Sequence, residues 1–310
     1  MLPDGTPFDW TGAEVAVPDP PHRLPGISMA GFRHRVSRGS GIAMVAHPSV
    51  TLLVDLSEGD GIVYDRDGRR DRGSVVVGLL PGELRATGHG IGECLQIRLE
   101  PDVAAAVLGV STELTGTLAT LADVWGREAG RAEDRLRSAT SWDERFATAA
   151  DILARRMGSH PTVDPEVAHA WRRTLTSRGR VRVERLAEEV GWSRKRLWAR
   201  FRSQLGITPK RAARLVRFDH AAHLLAAGHA AAGVATRSGY ADQSHLHREV
   251  KAFTGLTPAA VATAPWLAID DVAWPRPLSS GPAKARHSGR STAEIPISTP
   301  RRRRSAGPRR

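Results

Sequence analysis

The chain has 310 residues, of which 41% are hydrophobic, and a formal net charge of +12 at pH 7. This length is enough for two ordinary domains, each with its own core. The single cysteine, Cys94, excludes a disulfide within the chain and zinc sites of the CxxC type. We find no signal-peptide pattern and no run of about 18 apolar residues, so we expect a cytoplasmic protein without membrane contact.

The basic charge is unevenly distributed. Residues 178–258 carry 16 Lys and Arg against 6 Asp and Glu, and residues 276–310 carry 10 against 1, so their net charges are +10 and +9. The rest of the chain therefore has a net charge of −7. A basic module attached to an acidic partner is typical of a nucleic-acid-binding protein with a separate regulatory domain.

The first part of the chain has β character. Residues 1–26 are rich in proline, glycine and aspartate and predict an irregular arm, partly ordered against the residues that follow it. Five short apolar runs follow at intervals of about ten residues, which predicts an antiparallel sandwich or, as we favour, a small barrel. Asp65–Gly68 (DRDG) predicts a hairpin turn. The runs are ISMAGFRHRV, VTLLVDL, GIVYDRDG, GSVVVGLL and CLQIRLE.

From Pro101 onward the apolar pattern becomes helical. One helix is predicted between Pro101 and Gly109 and another from Trp142 to Met157, and the segment ELTGTLATLADVW between them predicts a loop with a short helix. Residues 27–158 thus form a predicted β-rich effector-sensing or dimerisation domain with C-terminal helices. A proline-containing connector, residues 159–164, separates it from a second domain at residues 164–262.

Two stretches of the second domain share one pattern: a glycine turn, a capped basic helix and a G-x-T-P ending. Gly191 and Gly239 are the predicted turns, in left-handed or crowded conformations. Ser193 and Asp242 are the predicted caps of the helices that follow. The stretches are VERLAEEVGWSRKRLWARFRSQLGITP and GYADQSHLHREVKAFTGLTP. Each predicts a helix-turn-helix unit, and the helix predicted between them, Pro209–Ala226, would hold the two units about one DNA turn (~34 Å) apart.

The outer faces of the two capped helices suit DNA. Leu197 and Phe201 in the first helix, and Leu246 in the second, turn the apolar face inward. A solvated basic helix is the alternative for each, but an outer face that mixes amide, hydroxyl, imidazole and cationic groups suits base edges and phosphates. The predicted DNA-binding residues are Arg194, Lys195, Trp198, Arg202, Gln243, Ser244, His247, Arg248 and Lys251.

Two side chains near these faces have particular interpretations. The ring of Trp198 can pack on a thymine methyl group or a sugar, with partial burial against the linking helix as the alternative. His245 is expected to support its turn by a hydrogen bond rather than to read bases. From Arg276 onward the chain has almost no large apolar residues, which predicts a disordered basic tail at residues 276–310.

These residues resemble the AraC/XylS-type transcriptional regulators. The similarity covers roughly residues 164–261 and rests on the two stretches quoted above and on RFDHAAHLL in the linking helix. It implies a seven-helix DNA-binding domain that places two reading helices in successive major grooves. The order of β runs and helices in the first domain also resembles regulators whose N-terminal domain is cupin-like, and this similarity rests on segment order alone.

The fold expected overall is α+β with two domains, a β-rich cupin-like barrel followed by an all-α domain with two helix-turn-helix motifs. We predict double-stranded DNA and an unknown small-molecule effector as partners, with RNA polymerase and a second copy of the chain as further candidates. The expected location is the nucleoid.

The alternative function is a metal-dependent cupin-type enzyme with an appended DNA-binding domain, and a third is a DNA-packaging protein driven by the tail. His22, His34, His47 and His89 with Glu93 invite a metal site, but the close His-x-His pairing is absent from this half, so we predict neither metal nor other cofactor. We find no catalytic motif and predict no enzyme activity. Cys94 is interpreted as a small buried residue, with a methyl-acceptor or redox role as the alternative.

Overall fold

The computed structural model describes residues 12–36, 41–44, 46–59, 61–66, 68–79, 84–109, 114–158, 163–264, 267 and 269–274. The predicted tail and the first eleven residues of the predicted arm lie outside the described residues. Of the predicted connector, Val163 and Asp164 are described.

Antiparallel strands form the first part of the chain. The described residues contain β1 (Glu14–Ala16), β2 (Ile27–Val36), β3 (Gly41–Met44), β4 (Val50–Asp55), β5 (Val63–Arg66), β6 (Arg69–Arg72), β7 (Val75–Val77), β8 (Leu84–Thr87), β9 (Gly90–Leu99) and β10 (Leu118–Thr120). One sheet has the order β1-β2-β9-β4-β7-β10, and the other has the order β3-β8-β5-β6. Among the described strands no pairing joins the two sheets, so the expected β-rich domain is present but its barrel is not closed.

Each of the five predicted β runs contains a strand, and the hairpin predicted at DRDG joins β5 to β6, with Arg66 opposite Arg69. The sequence pattern does not predict β1, β3, β6, β8 or β10. Within the predicted arm, Glu14–Ala16 form a strand that pairs with β2, so this part of the arm is ordered against the residues that follow it. Strand β6, with the sequence RRDR, has no apolar residue and is mostly exposed, so a hydrophobic pattern does not reveal it.

Four helices follow the strands: α1 (Pro101–Leu108), α2 (Leu121–Trp125), α3 (Arg127–Ser138) and α4 (Trp142–Met157). Helix α1 ends at Gly109 in the left-handed conformation, and α4 has the predicted bounds. Helix α3 is unexpected. Its buried residues are Ala129, Ala132 and Leu136, an apolar stripe too small to stand out from its charged neighbours.

The second part of the chain is helical. Its helices are α5 (Pro165–Thr176), α6 (Val183–Glu189), α7 (Arg194–Leu205), α8 (Pro209–Ala226), α9 (Ala231–Ser238), α10 (Gln243–Thr254) and α11 (Pro258–Ala262), followed by the short α12 (Asp270–Ala273). Between residues 163 and 264, which are all described, the helices number seven, as the resemblance implies. In the described part of the chain, no helix is both long and apolar enough to cross a membrane.

The G-x-T-P endings have a clear physical role in this part. Gly206 ends α7 at φ 73° and Gly255 ends α10 at φ 70°, in the left-handed region that glycine adopts at little cost. Two residues later, Thr208 and Thr257 cap α8 and α11 through their side chains. Each following proline occupies the first helical position, where it sacrifices no hydrogen bond.

The hydrophobic core is divided unequally between the two helix-turn-helix units. One cluster runs from the six-stranded sheet through Trp171 to Phe201 and Leu205 of α7, and continues to Val216 of α8. A second cluster begins at Phe218 of the same helix and lies beneath α9, α10 and α11. The first unit therefore shares its core with the β-rich part, whereas the second unit has a core of its own.

Candidate DNA-binding surface and adjoining cavity

Helix α7 presents the four residues predicted for the first reading helix. Leu197 and Phe201 are fully buried, and this fixes the rotation of the helix about its axis. Arg194, Lys195, Trp198 and Arg202 lie on its exposed side. The side chain of Trp198 is 45% exposed, and the Arg202 guanidinium lies 5.3 Å from its ring centroid. The exposed indole and its cationic neighbour form a platform suited to a sugar or thymine methyl group.

Two arginines of α7 form ion pairs within the chain, and one of them, Arg194, is a predicted DNA-binding residue. Arg194 donates to Glu184 of α6 at 3.0 Å, an exposed pair that phosphate can replace at little cost. Arg200 donates to both carboxylate oxygens of Asp164, each at 2.8 Å, and so joins α7 to the start of α5. Arg200 is therefore occupied in positioning the helix, while the outer face remains available for DNA.

Helix α10 presents the residues predicted for the second reading helix. Leu246 and Val250 are fully buried, while Gln243, Ser244, His247, Arg248 and Lys251 are exposed. The Asp242 carboxylate accepts a hydrogen bond from the backbone N–H of His245 at 2.6 Å and caps the helix. The His245 ring packs edge-on against Tyr240, so this side chain supports the turn by ring packing while its backbone makes the hydrogen bond.

An ion pair that our sequence reasoning missed holds α10 on the linking helix. Arg214 of α8 donates to the carboxylate of Glu249, with Nη2–Oε1 at 2.7 Å and Nε–Oε2 at 3.1 Å. Glu249 is only 9% exposed. A charged residue is rarely buried unless it is paired, and Glu249 lies three residues after the inward Leu246. That spacing is the sequence signal that could have placed Glu249 on the buried face.

Both turn glycines have left-handed backbones, with φ 67° at Gly191 and φ 76° at Gly239. A β-carbon at Gly191 would meet open space, whereas one at Gly239 would lie 3.3 Å from the Arg180 side chain. The backbone conformation rather than crowding is therefore what requires glycine at the first turn.

A cavity of about 220 Å³ adjoins this DNA-binding domain. Residues of both sheets, of α8 and of the chain after residue 264 line it. Among them are Phe32, Ile42, Leu53, Ile62, Tyr64 and Val77, which make much of the lining apolar, and the histidines His34, His47, His89 and His223. An apolar cavity with a few polar groups is the usual form of a small-molecule site.

The cavity brings together three of the four histidines considered for a metal site, while His22 and Glu93 lie elsewhere. Glu93 instead accepts a hydrogen bond from Arg145 at 2.5 Å. Cys94 lines the cavity and is partly buried, packed against a small core that includes Leu53 and Tyr64, so the interpretation of a small buried residue holds only in part. Burial and the nearby Asp55 charge raise the pKa of the Cys94 thiol, which makes it a poor nucleophile at neutral pH.

A cluster of charged groups closes the cavity on the side of α8. Asp270 accepts from Arg98 of β9 at 2.9 Å and from His223 of α8 at 2.6 Å. The other ring nitrogen of His223, Nδ1, lies 2.7 Å from the backbone oxygen of Asp219. Arg98 also donates to Nε2 of His47 at 3.2 Å. The cluster therefore joins the β-rich part to the linking helix of the DNA-binding domain.

The two histidines of this cluster have opposite pKa shifts. Burial alone would lower the pKa of His223, but its hydrogen bond to Asp270 and the charge of Asp219 raise that pKa to about 9. Burial and the Arg98 charge hold the pKa of His47 well below its usual 6.5. At neutral pH, His223 is therefore protonated, with both ring nitrogens facing acceptors, and His47 is neutral.

The pH dependence of folding should follow from these shifts. Because the pKa of His223 is higher in the folded chain than in the unfolded one, protonated His223 contributes to the free energy of unfolding. This contribution is fully present below pH 6.5, the ordinary pKa of histidine, and is lost as the pH rises through about 9. His47 acts in the opposite direction, because the unfolded chain takes up its proton more readily below pH 6.5. Urea unfolding should therefore show stability falling between about pH 7 and pH 9. In His223→Gln the loss of stability between pH 7 and pH 9 should be smaller. The control His229→Gln, which lies outside the cluster, should show the same loss as the parent. If stability depended on pH equally in both variants, His223 would not be the group responsible.

Comparison with known proteins identifies the helical part. Residues 186–264 match a family model described as "Helix-turn-helix domain". No curated protein matches the chain. Among solved structures, ToxT from Vibrio cholerae O395 is similar at 11% identity and a TM-score of 0.45, over 77% of this chain and 99% of that one. The C-terminal domain of AraT, a response regulator from Geobacillus stearothermophilus, is similar at 24% identity and a TM-score of 0.31, over 32% of this chain and 85% of that one.

The matched residues include both capped helices, both glycine turns and the linking helix. They contain the second of the two stretches on which the resemblance to the AraC/XylS type rests, and all of the first stretch from Leu186 onward. The chain therefore contains a C-terminal helix-turn-helix domain, and this domain resembles that of the AraC/XylS-type regulators.

Proposed function

We propose that α7 and α10 read an operator in two successive major grooves, and that a small molecule in the cavity controls this binding. The observation that carries the proposal is the arrangement of the two units on one helix. Each reading helix is capped at its N-terminus, buries its apolar stripe and leaves its polar side free. Both pack against α8, 18 residues long and thus about 27 Å, close to one DNA turn of ~34 Å.

The cavity supports effector control because its lining includes the linking helix itself. Phe218, Asp219, Ala222 and His223 of α8 face the same space as residues of both sheets. A ligand there would contact the element that carries the second reading helix, so its binding energy can favour one position of α8 over another. RNA polymerase and a second copy of the chain remain proposed partners, and the nucleoid is where such a regulator would act.

The alternative of a metal-dependent enzyme receives no support from the side-chain geometry. In the described parts of the chain, no three His, Cys, Asp or Glu side chains converge as a metal site would require. The histidines that line the cavity are accompanied by apolar and aromatic groups, which suit binding of an organic molecule.

Selection of binding sites from random DNA, with single variants, tests the reading helices. Gln243 lies in the first turn of α10, where a recognition helix meets base edges, and its amide can make a bidentate pair with adenine. Gln243→Ala should cost about 1–3 kcal/mol on the preferred site and relax the preference at one base pair. Lys251→Ala, two turns later, should weaken binding to all sequences alike and lower the salt slope by about one unit.

Lys195→Ala and Trp198→Ala should relax base preferences about one helical turn away from the position affected by Gln243→Ala. Arg127→Ala is the control. It removes an exposed charge from α3, far from both reading helices in the chain, and should change neither the base preference nor the salt dependence of binding. If both helices alter the same base pairs, or if specific and random DNA bind equally well, reading in successive grooves is refuted. Equal affinity would favour the packaging alternative.

A further inference from the structure

The chain continues beyond the matched domain and returns to the β-rich part. We name residues 269–274 the C-terminal return. Ile269 is 4% exposed and Ala273 is 1% exposed, and both pack in a small core with Val15 of β1 and Ala30 of β2. The return includes α12, which lies against β1 and β2. The return is therefore packed into the fold, although it follows residue 264, where the match to the helix-turn-helix model ends.

The return also supplies a carboxylate that bonds to both halves at the cavity, where Asp219 of α8 makes a longer contact of 3.5 Å with His47. Asp270 is 7% exposed, and its two oxygens divide between two cations. Oδ1 accepts from Arg98 of β9 at 2.9 Å, and Oδ2 accepts from His223 of α8 at 2.6 Å. The Trp274 ring lies 4.0 Å from the Arg98 guanidinium. One short segment thus makes charged contacts with a strand of the sheet and with the linking helix.

These contacts lie at the cavity itself. Ile269, Asp270 and Trp274 are among its lining residues, as are Arg98 and His223. If the buried Asp270 carboxylate lost one of its two cations, one of its oxygens would be left buried without a partner, so the arrangement favours a single closed geometry.

We propose that the C-terminal return is a latch: Asp270 fastens α8 to β9 across the cavity, and its release opens the cavity and frees the linking helix to move. The proposal rests on the proposed function only in taking the cavity as the effector site. The sheets, α8 and the return each supply part of the wall, so separating the return from Arg98 and His223 exposes the interior. The position of α8, and with it the spacing of the two reading helices, then depends on whether the latch is closed.

Cys94 provides a direct measurement, because it is the sole cysteine of the chain and lines the cavity. Cys94 is half-buried in the closed protein, so the rate at which N-ethylmaleimide labels a full-length variant at fixed pH, relative to the parent, reports how much more often the interior opens. Asp270→Asn keeps the size of the side chain but removes its charge, and should raise the labelling rate about tenfold or more. Asp151→Asn, which removes an exposed carboxylate of α4, is the matched control and should leave the rate unchanged.

Labelling at increasing urea concentrations separates local opening from unfolding. Opening of the latch exposes little surface, so the faster labelling of Asp270→Asn should depend weakly on urea at low concentrations. Truncation after Ala264 should give the same fast labelling, and truncation after Trp274 should behave as the parent. The latch proposal is overturned if Asp270→Asn is labelled at the same rate as the parent. It is also overturned if the faster labelling depends on urea as steeply as global unfolding does. If Asp270→Asn is labelled faster but binds the operator with the affinity of the parent, the latch is supported and the proposed control of DNA binding through the cavity is refuted.

Discussion

Gly179→Ala should lower the free energy of unfolding by about 3 kcal/mol or more. Gly179 lies between α5 and α6 at φ 70°, in the left-handed region. A β-carbon there would lie 2.1 Å from the carbonyl oxygen of Ala213 in α8. Because the obstacle is helical backbone, either α8 or the connection must move.

Gly191→Ala is the matched control for this variant. The substitution is the same and φ is 67°, but the added carbon would have nothing within 4 Å. It should therefore cost only the left-handed conformation, about 1–2 kcal/mol. Urea unfolding of both variants measures the difference, which is the cost of the clash with α8. Equal destabilisation would show that α8 does not pack against this connection as described.

Breaking the pair between Arg214 and Glu249 should destabilise the second helix-turn-helix unit by about 2 kcal/mol. Arg214→Ala would leave the Glu249 carboxylate, whose side chain is 11% exposed, without its cation. Loss of a partner from a fully buried pair costs about 3–5 kcal/mol, and we expect less because the Arg214 side chain is 44% exposed. Operator affinity should fall with it, since α10 would lose a contact that holds it on α8.

A double-mutant cycle in urea unfolding isolates this pair. Arg214→Met combined with Glu249→Met should cost less than the sum of the two single changes, because neither charge is then left alone. Arg194→Ala, which breaks an exposed pair with Glu184, should change stability by less than about 0.5 kcal/mol. Additive costs at positions 214 and 249 would mean that the pair does not fasten α10.

The helices of the DNA-binding domain are predictable because their signals are local. Ser193, Thr208, Asp242 and Thr257 each bond to a backbone N–H three residues ahead, so the caps can be read directly from the sequence. The linking helix has the predicted bounds for the same reason. The spacing of the apolar residues in α7 and α10 also predicts which polar and charged side chains lie on their outer faces. Which of these side chains contact DNA remains a prediction.

The cavity depends on contacts that local patterns do not contain. Arg98 and Asp270 are 172 residues apart in the chain, and nothing near either residue indicates the other. The same holds for Glu249 and Arg214, although the helical phase of Glu249 suggests burial. Strands β1 and β3 have few residues and little alternation, so only their hydrogen-bonded pairing with β2 and β8 in the structure identifies them. The expectation of a barrel rests on the number and spacing of the strands, and these do not determine whether the two sheets are hydrogen-bonded to each other.

The division of the hydrophobic core within α8 makes the two reading helices mechanically unequal. Val216 belongs to the core that includes the six-stranded sheet and α7, and Phe218, two residues later, belongs to the core beneath α10. The first reading helix thus shares its core with the six-stranded sheet, whereas the second packs on α8 through Arg214 and Phe218 over a core of its own. On an operator whose two sites are moved apart or together by a base pair, the first helix would keep its register and the second would absorb the change.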